Sequence, residues 1–151
     1  MDLRIVKTKK QIKQAFLSLR DKYMPEKIKV KDICEIAMIN KTTFYKHYED
    51  SLELAEEIEN SSLDALMNGF VQKKSLFDSP KAYVSGLLDA TQKQSEELRK
   101  IYRGRIGNFS TKLENKLMSW CDLSGKSAEK KIAASFVISG MVHVLAQWLL
   151  S

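Results

Sequence analysis

Apolar residues recur along this chain with a helical period, in about eight separate runs. Ile12, Ala15, Phe16 and Leu19 fall at i, i+3, i+4 and i+7, which predicts a first helix from about Thr8 to Lys22. Met24-Pro25-Glu26-Lys27 breaks it, because Pro25 cannot continue a helix. A second helix is expected from about Val30 to Ala37, with Ile33, Ile36 and Ala37 inward. Met38-Ile39-Asn40 reads as a turn, and Asn40 is a suitable N-cap for a third helix, Lys41 to Tyr48. Phe44 and Tyr48 are i, i+4 partners on that helix and are expected to meet Ile33, Ile36 and Ile39 in a core. Asp50 and Glu53 have the spacing of a capping box and open a fourth helix. Leu52, Ile58, Leu63, Leu66, Met67 and Phe70 keep it apolar to about Phe70.

Ser79-Pro80 starts a fifth helix, running to about Lys93 around Tyr83, Leu87 and Leu88. A short helix, Glu96 to Tyr102, is interrupted by Gly104 and Gly107. A seventh spans about Ser110 to Cys121, with Leu113, Leu117 and Trp120 inward, and Ser127 caps an eighth, Ala128 to Leu150. This last helix carries no charge from Ala133 onward, and its polar members Ser135, Ser139, His143 and Gln147 recur every four residues. A helix apolar nearly all round must be buried on most sides. A second copy of the chain would bury it. So would a membrane, but an uncharged run of 18 residues is at the short limit for a span, no basic end follows Leu150, and the run contains His and Gln. The expectation is a dimer face and no membrane.

Six Gly and two Pro in 151 residues, with few β-branched runs, agree with an all-α fold. Residues 1–50 are expected to form one domain and 51–151 a second, all-helical one. Charge separates them further. Residues 1–48 hold 12 Lys/Arg against 5 Asp/Glu, while residues 49–151 hold 13 against 14. The excess positive charge therefore lies in the first third, which suits a polyanion such as nucleic acid. Cys34 and Cys121 match no metal spacing and are expected to be reduced thiols. No apolar leader follows Met1, so the expected location is cytoplasmic. His47 and His143 have no nucleophile partner recognisable by spacing, so neither catalysis nor a cofactor or metal site is expected. Glu56, Glu57 and Glu59 read as a charged helix face.

The third helix carries almost no acid. With Phe44 and Tyr48 inward, Lys41, Thr42, Thr43, Tyr45, Lys46 and His47 point outward, a mixture of cationic, hydroxyl and aromatic groups suited to a DNA groove. The segment Ala37 to Tyr48, AMINKTTFYKHY, resembles the helix-turn-helix of the TetR family of bacterial transcriptional regulators. That family runs A-G-V-S-x-G-T-L-Y-x-H-F at the same positions. Thr43, Tyr45, His47 and the aromatic Tyr48 match as a set, and Arg4 to Leu54 fits the family's DNA-binding domain.

The resemblance implies a three-helix DNA-binding domain followed by a ligand-binding and dimerisation domain. It implies a homodimer on a palindromic double-stranded DNA operator, released by a small-molecule effector. Thr43 and Tyr45 stand where the family contacts bases or phosphate, and His47 at a phosphate contact. Lys41, Thr42 and Lys46 stand at positions that set the operator sequence, and Asn40 heads the same helix. Lys29 and Lys31, at the start of the second helix, could reach phosphates. The dimer would use Phe136, Val137, Gly140, Met141, Val144 and Trp148, and an effector pocket would draw on Tyr83, Leu87, Tyr102, Phe109, Met118 and Trp120. Three positions depart from the pattern: Met38 replaces the turn glycine, Lys29 replaces a capping Thr, and Ser51 replaces a Lys that contacts the DNA backbone. The Ser51 and Met38 departures leave an alternative, a ligand-sensing or protein-binding co-regulator of the same fold that does not bind DNA.

Overall fold

The structure, a computed structural model, describes residues 3–70 and 76–150; the leader position at Met1 and Asp2 lies outside them. Among the described residues there are eight α-helices and no strand, as the periodicity predicts: α1 (Leu3–Arg20), α2 (Val30–Ala37), α3 (Lys41–Tyr45), α4 (Ser51–Gly69), α5 (Pro80–Lys93), α6 (Ser95–Tyr102), α7 (Ile106–Trp120) and α8 (Ala128–Leu150). A single 3-10 turn, Pro25–Lys27, follows α1. The chain divides into two compact units, Met1–Ser61 and Ser62–Ser151. The division falls inside α4, eleven residues beyond the expected boundary, because Leu54, Ala55 and Ile58 are buried with the first unit's residues.

In the first unit α1 begins at Leu3, not near Thr8. Nothing in Leu3–Thr8 breaks a helix, and Arg and Lys are good helix formers. Arg4 lies in the first turn, whereas Lys7, Lys9 and Lys10 lie beyond it, where the helix dipole falls off. Ile12, Ala15 and Phe16 are buried, as expected, and Leu19 half-buried. α2 is only two turns long and buries Ile33, Cys34 and Ala37. Ile36, expected inward, is 47% exposed, and Ile39 is half-buried; Cys34 takes the core position beside Ile33.

The α2–α3 turn is made by Met38 in the left-handed region, φ 53° and ψ 45°. Its N–H donates to Glu35 O at 3.3 Å, and the Ile39 N–H to Cys34 O at 3.0 Å, the paired bonds of a Schellman ending. Glycine is the residue this ending favours, and a side chain there costs about 1–2 kcal/mol. Met38 is 87% exposed, so packing returns little. Met38→Gly is expected to stabilise the unit by about 0.5–1 kcal/mol after the added chain entropy of glycine is subtracted. The thermal midpoint should rise by a few degrees. An unchanged or lower midpoint would show that the methionine makes a compensating contact.

In the second unit α7 packs on α8, and α6 against both. Phe109, Leu113 and Leu117 face Ala134, Ile138, Val142 and Leu145 as buried stripes. α7 begins at Ile106, four residues early, so Gly107 lies inside the helix, and only Gly104, at φ 71°, makes the break. Gly86 lets the Phe70 ring lie against α5; an added Cβ would sit 3.1 Å from it. Ser79 precedes Pro80 without a side-chain cap bond. Leu88 and Trp120, expected inward, are 45% and 47% exposed.

Candidate nucleic-acid interface

α3 is held from both ends. At its head Asn40 Oδ1 accepts from the Thr43 N–H at 2.7 Å and from the Thr43 hydroxyl at 2.8 Å. The cap forms as its sequence predicts, but it also turns Thr43 back along the helix, half-buried. At its foot the helix stops at Tyr45, not Tyr48. Lys46 keeps helical angles as C-cap, and the Tyr48 N–H still reaches Phe44 O at 3.1 Å, so His47 and Tyr48 form a closing turn. Phe44 is fully buried and Tyr48 nearly so, their ring centroids 5.7 Å apart. The expected anchor pair is therefore in place.

This anchoring leaves Lys41, Thr42, Tyr45 and Lys46 exposed, with His47 half-buried. Lys29 and Lys31 are exposed at the start of α2. Lys29 is the N-cap of α2 and makes no side-chain cap bond, which leaves its ammonium to solvent. Ser51 is the first residue of α4, after Asp50, whose Oδ1 accepts from the Leu52 and Glu53 N–H groups at 2.8 Å each. An acid thus occupies the turn just before the position where a cation was missing. The Glu53 carboxylate reaches back to the Glu49 N–H, one residue earlier than a standard capping box.

Several of the first unit's cations are engaged within it. Arg20 is buried and donates to Tyr23 O at 2.7 Å. Lys9 and Lys13 both reach Glu57, at 3.0 and 2.9 Å. Tyr48 Oη donates to the same carboxylate at 3.2 Å, and Lys9 Nζ lies 5.0 Å from the centroid of the Tyr48 ring. Partial burial works against the Glu57 charge, but the Lys13 and Lys9 ammonium groups outweigh it and hold its pKa below the usual carboxylate range. The Tyr48 hydroxyl is pushed up by burial, then by Glu57. Glu56, Glu57 and Glu59 do not form one solvated face: Glu59 is 2% exposed and Glu57 is held by three donors.

Drawn at the compact unit's edge, the charge balance changes. Residues 49–61 add six acids and no cation, so Met1–Ser61 holds 12 Lys/Arg against 11 Asp/Glu. The unit is polarised, with acid concentrated on α4 and the turn before it, and cations on α1 to α3. Residue composition alone hid this, because Glu57 meets Lys9 and Lys13 only through the packing of α1 on α4, 48 and 44 residues apart in sequence.

In the second unit Tyr83, Leu87, Tyr102 and Phe109 are buried core residues, Met118 is half-buried and Trp120 exposed. Tyr83 packs edge-on against Phe70 at 5.0 Å, and Tyr102 against Phe109 at 5.1 Å. The Tyr83 hydroxyl is buried without a hydrogen-bond partner, and its pKa is pushed up to about 12, by burial first and then by Cys121. Two open hollows lie elsewhere: one of about 430 Å³ along Gln92–Glu97, and one of about 260 Å³ lined by Arg99, Arg103, Gly104, Leu149 and Leu150.

On α8 the row Ile132, Phe136, Gly140, Val144 and Trp148 lies open, with Phe136 80% and Val144 67% exposed. Val137 is 38% exposed and Met141 half-buried. His143 is exposed on this side too, whereas Ser139 donates to Glu114 of α7, so the four-residue polar row is not one solvent stripe. α8 is long and apolar enough to cross a membrane, with 33% of its most apolar window buried. No protein-family model matches the sequence, and no curated protein matches it.

Proposed function

We propose that this protein is a TetR-like DNA-binding transcriptional regulator, cytoplasmic and homodimeric, acting as a repressor. The observation that carries this reading is the construction of α3. Phe44 and Tyr48 fix a short helix whose open side offers Lys41, Thr42, Tyr45 and Lys46 and no acid. Lys41 and Thr42, near the start, are suited to base edges: an ammonium to guanine O6 or N7, a methyl to a thymine methyl. Lys29, Lys31, Lys46, Tyr45 and His47 are suited to phosphate oxygens, which set register and orientation. Thr43 contributes through its methyl, since its hydroxyl is bonded to Asn40. Two copies would place two such helices in successive major grooves of a palindromic operator. An effector bound in the C-terminal unit would release DNA through a coupling between sites.

The test is selection from a randomised duplex library with the intact protein, followed by a gel shift of the enriched duplex across salt concentrations. The expected result is an enriched palindrome bound with a steep salt dependence. In the Tyr45→Ala, Lys46→Ala double variant, affinity for that duplex is expected to fall by at least about a hundredfold, two contacts being lost at each half-site. Unfolding of the double variant is not expected, because both residues are exposed. Retention of full affinity would remove α3 from the interface. Enrichment of no sequence, together with a stable complex with another regulator, would favour a co-regulator that does not bind DNA; the neutral Ser51 beside Asp50 is the feature that fits it.

A further inference from the structure

Glu57 sits on α4, away from the residues proposed to touch DNA, yet it ties α1 to the turn that closes α3. Its Oε2 accepts from Lys9 of α1 and its Oε1 lies 2.9 Å from Lys13 of the same helix. Oε1 also accepts from the hydroxyl of Tyr48, the residue that closes the α3 turn. Lys9 in turn caps the face of the Tyr48 ring. A carboxylate with three donors from two directions has a defined orientation, and each bond is charge-assisted. Tyr48 has little freedom once its ring is buried and its hydroxyl bonded. The Tyr48 N–H bonds Phe44 O across the closing turn, so where the Tyr48 ring is held bears on the rotation of α3 about its own axis. That rotation decides which of Lys41, Thr42 and Tyr45 meet base edges.

We infer that Glu57 is a positioning residue for the DNA-reading surface, fixing α3 through Tyr48 and α1 through Lys9 and Lys13 without touching DNA. This rests on the DNA-binding reading above. Glu57→Gln removes a negative charge from the DNA-binding unit and unties two lysines, so simple electrostatics expects tighter binding. Positioning expects the reverse for a sequence that is read, and no loss for one that is not.

The experiment measures affinity of wild type, Glu57→Gln and Tyr48→Phe for two probes, the duplex enriched by wild type and a random duplex of equal length. Circular dichroism confirms that each variant is folded at the assay temperature. The expected result for Glu57→Gln is about a tenfold loss on the enriched duplex, the worth of one charge-assisted bond, with random-duplex affinity equal or higher. Tyr48→Phe, which changes no charge and keeps the ring, is expected to lower the ratio of enriched to random affinity in the same direction. A ratio unchanged in both folded variants would overturn the inference and leave the DNA-binding reading intact, since Glu57 would then only stabilise the unit. Should wild type enrich no sequence, the DNA-binding reading itself fails and the inference falls with it.

Discussion

Replacing Phe136 and Val144 together by Asp is expected to turn the proposed homodimer into a monomer at micromolar concentration. Both residues are more than half exposed on α8, in the row Ile132, Phe136, Gly140, Val144, Trp148, where each residue is four from the next. Such a row is a ridge of the i±4n type, and two copies of one ridge interdigitate with their axes crossing at about −50°. The row has no charge, so a like surface suits it, and its middle is a glycine whose Cβ position has nothing within 4 Å. Two carboxylates forced into that contact would need to be desolvated without partners, at several kcal/mol each, or about a hundredfold or more in the dimer constant. Sedimentation equilibrium reads the change. The charge is added to open surface in a single chain, so the helical circular-dichroism signal should stay. A double variant that sediments as wild type removes this face from the dimer. Recovery of wild type with the membrane fraction, lost in the variant, would assign the face to lipid instead.

Gly140 sharpens the same test. In one chain Gly140→Leu meets open space and gains helix propensity, worth about 1 kcal/mol. The thermal midpoint of the monomeric Asp variant should therefore rise with it. In the dimer a leucine at the crossing point would hold the two helices apart, so the dimer constant should weaken. Opposite signs for the two measurements distinguish a packed ridge from an idle surface.

The sequence was legible where a local rule dominates. Asn40, Pro80 and the apolar stripes of α1, α4 and α7 mark helices whose existence depends on short-range chemistry. It was illegible where a choice between two faces depends on what arrives from far along the chain. Ile36 and Cys34 are both apolar residues of α2, and the packing of α1 and α3 against α2 leaves Cys34 the buried one. The end of α3 has a similar cause. The helical pattern continues to Tyr48, but the Tyr48 ring and hydroxyl are drawn to Lys9 and Glu57, and the chain turns after Tyr45 to deliver them. The candidate surface was legible as a set of residue types. Its orienting carboxylate was not, since Glu57 looks like any acid on a charged helix until α1 packs beside it.

Phe44 and Tyr45 are neighbours in sequence with opposite tasks, and exchanging each for alanine should separate stability from DNA binding. Phe44 is fully buried, tilted against Tyr48 at 5.7 Å and edge-on at 5.6 Å to Tyr45. Removing a buried phenyl ring costs about 3–5 kcal/mol. A unit of this size has a total stability on the order of 3–9 kcal/mol. Phe44→Ala is therefore expected to leave α1–α3 largely unfolded at 37 °C, seen as loss of amide protection from hydrogen exchange across Ile12–Tyr48. Tyr45 is 55% exposed, and its alanine variant loses mainly the edge contact, about 0.5–1.5 kcal/mol. It should retain the protection pattern and lose affinity for the enriched duplex. If Phe44→Ala keeps full protection, the anchor is not where the burial places it. If Tyr45→Ala unfolds the unit as Phe44→Ala does, the exposed ring is structural and the groove-facing side of α3 must be redrawn.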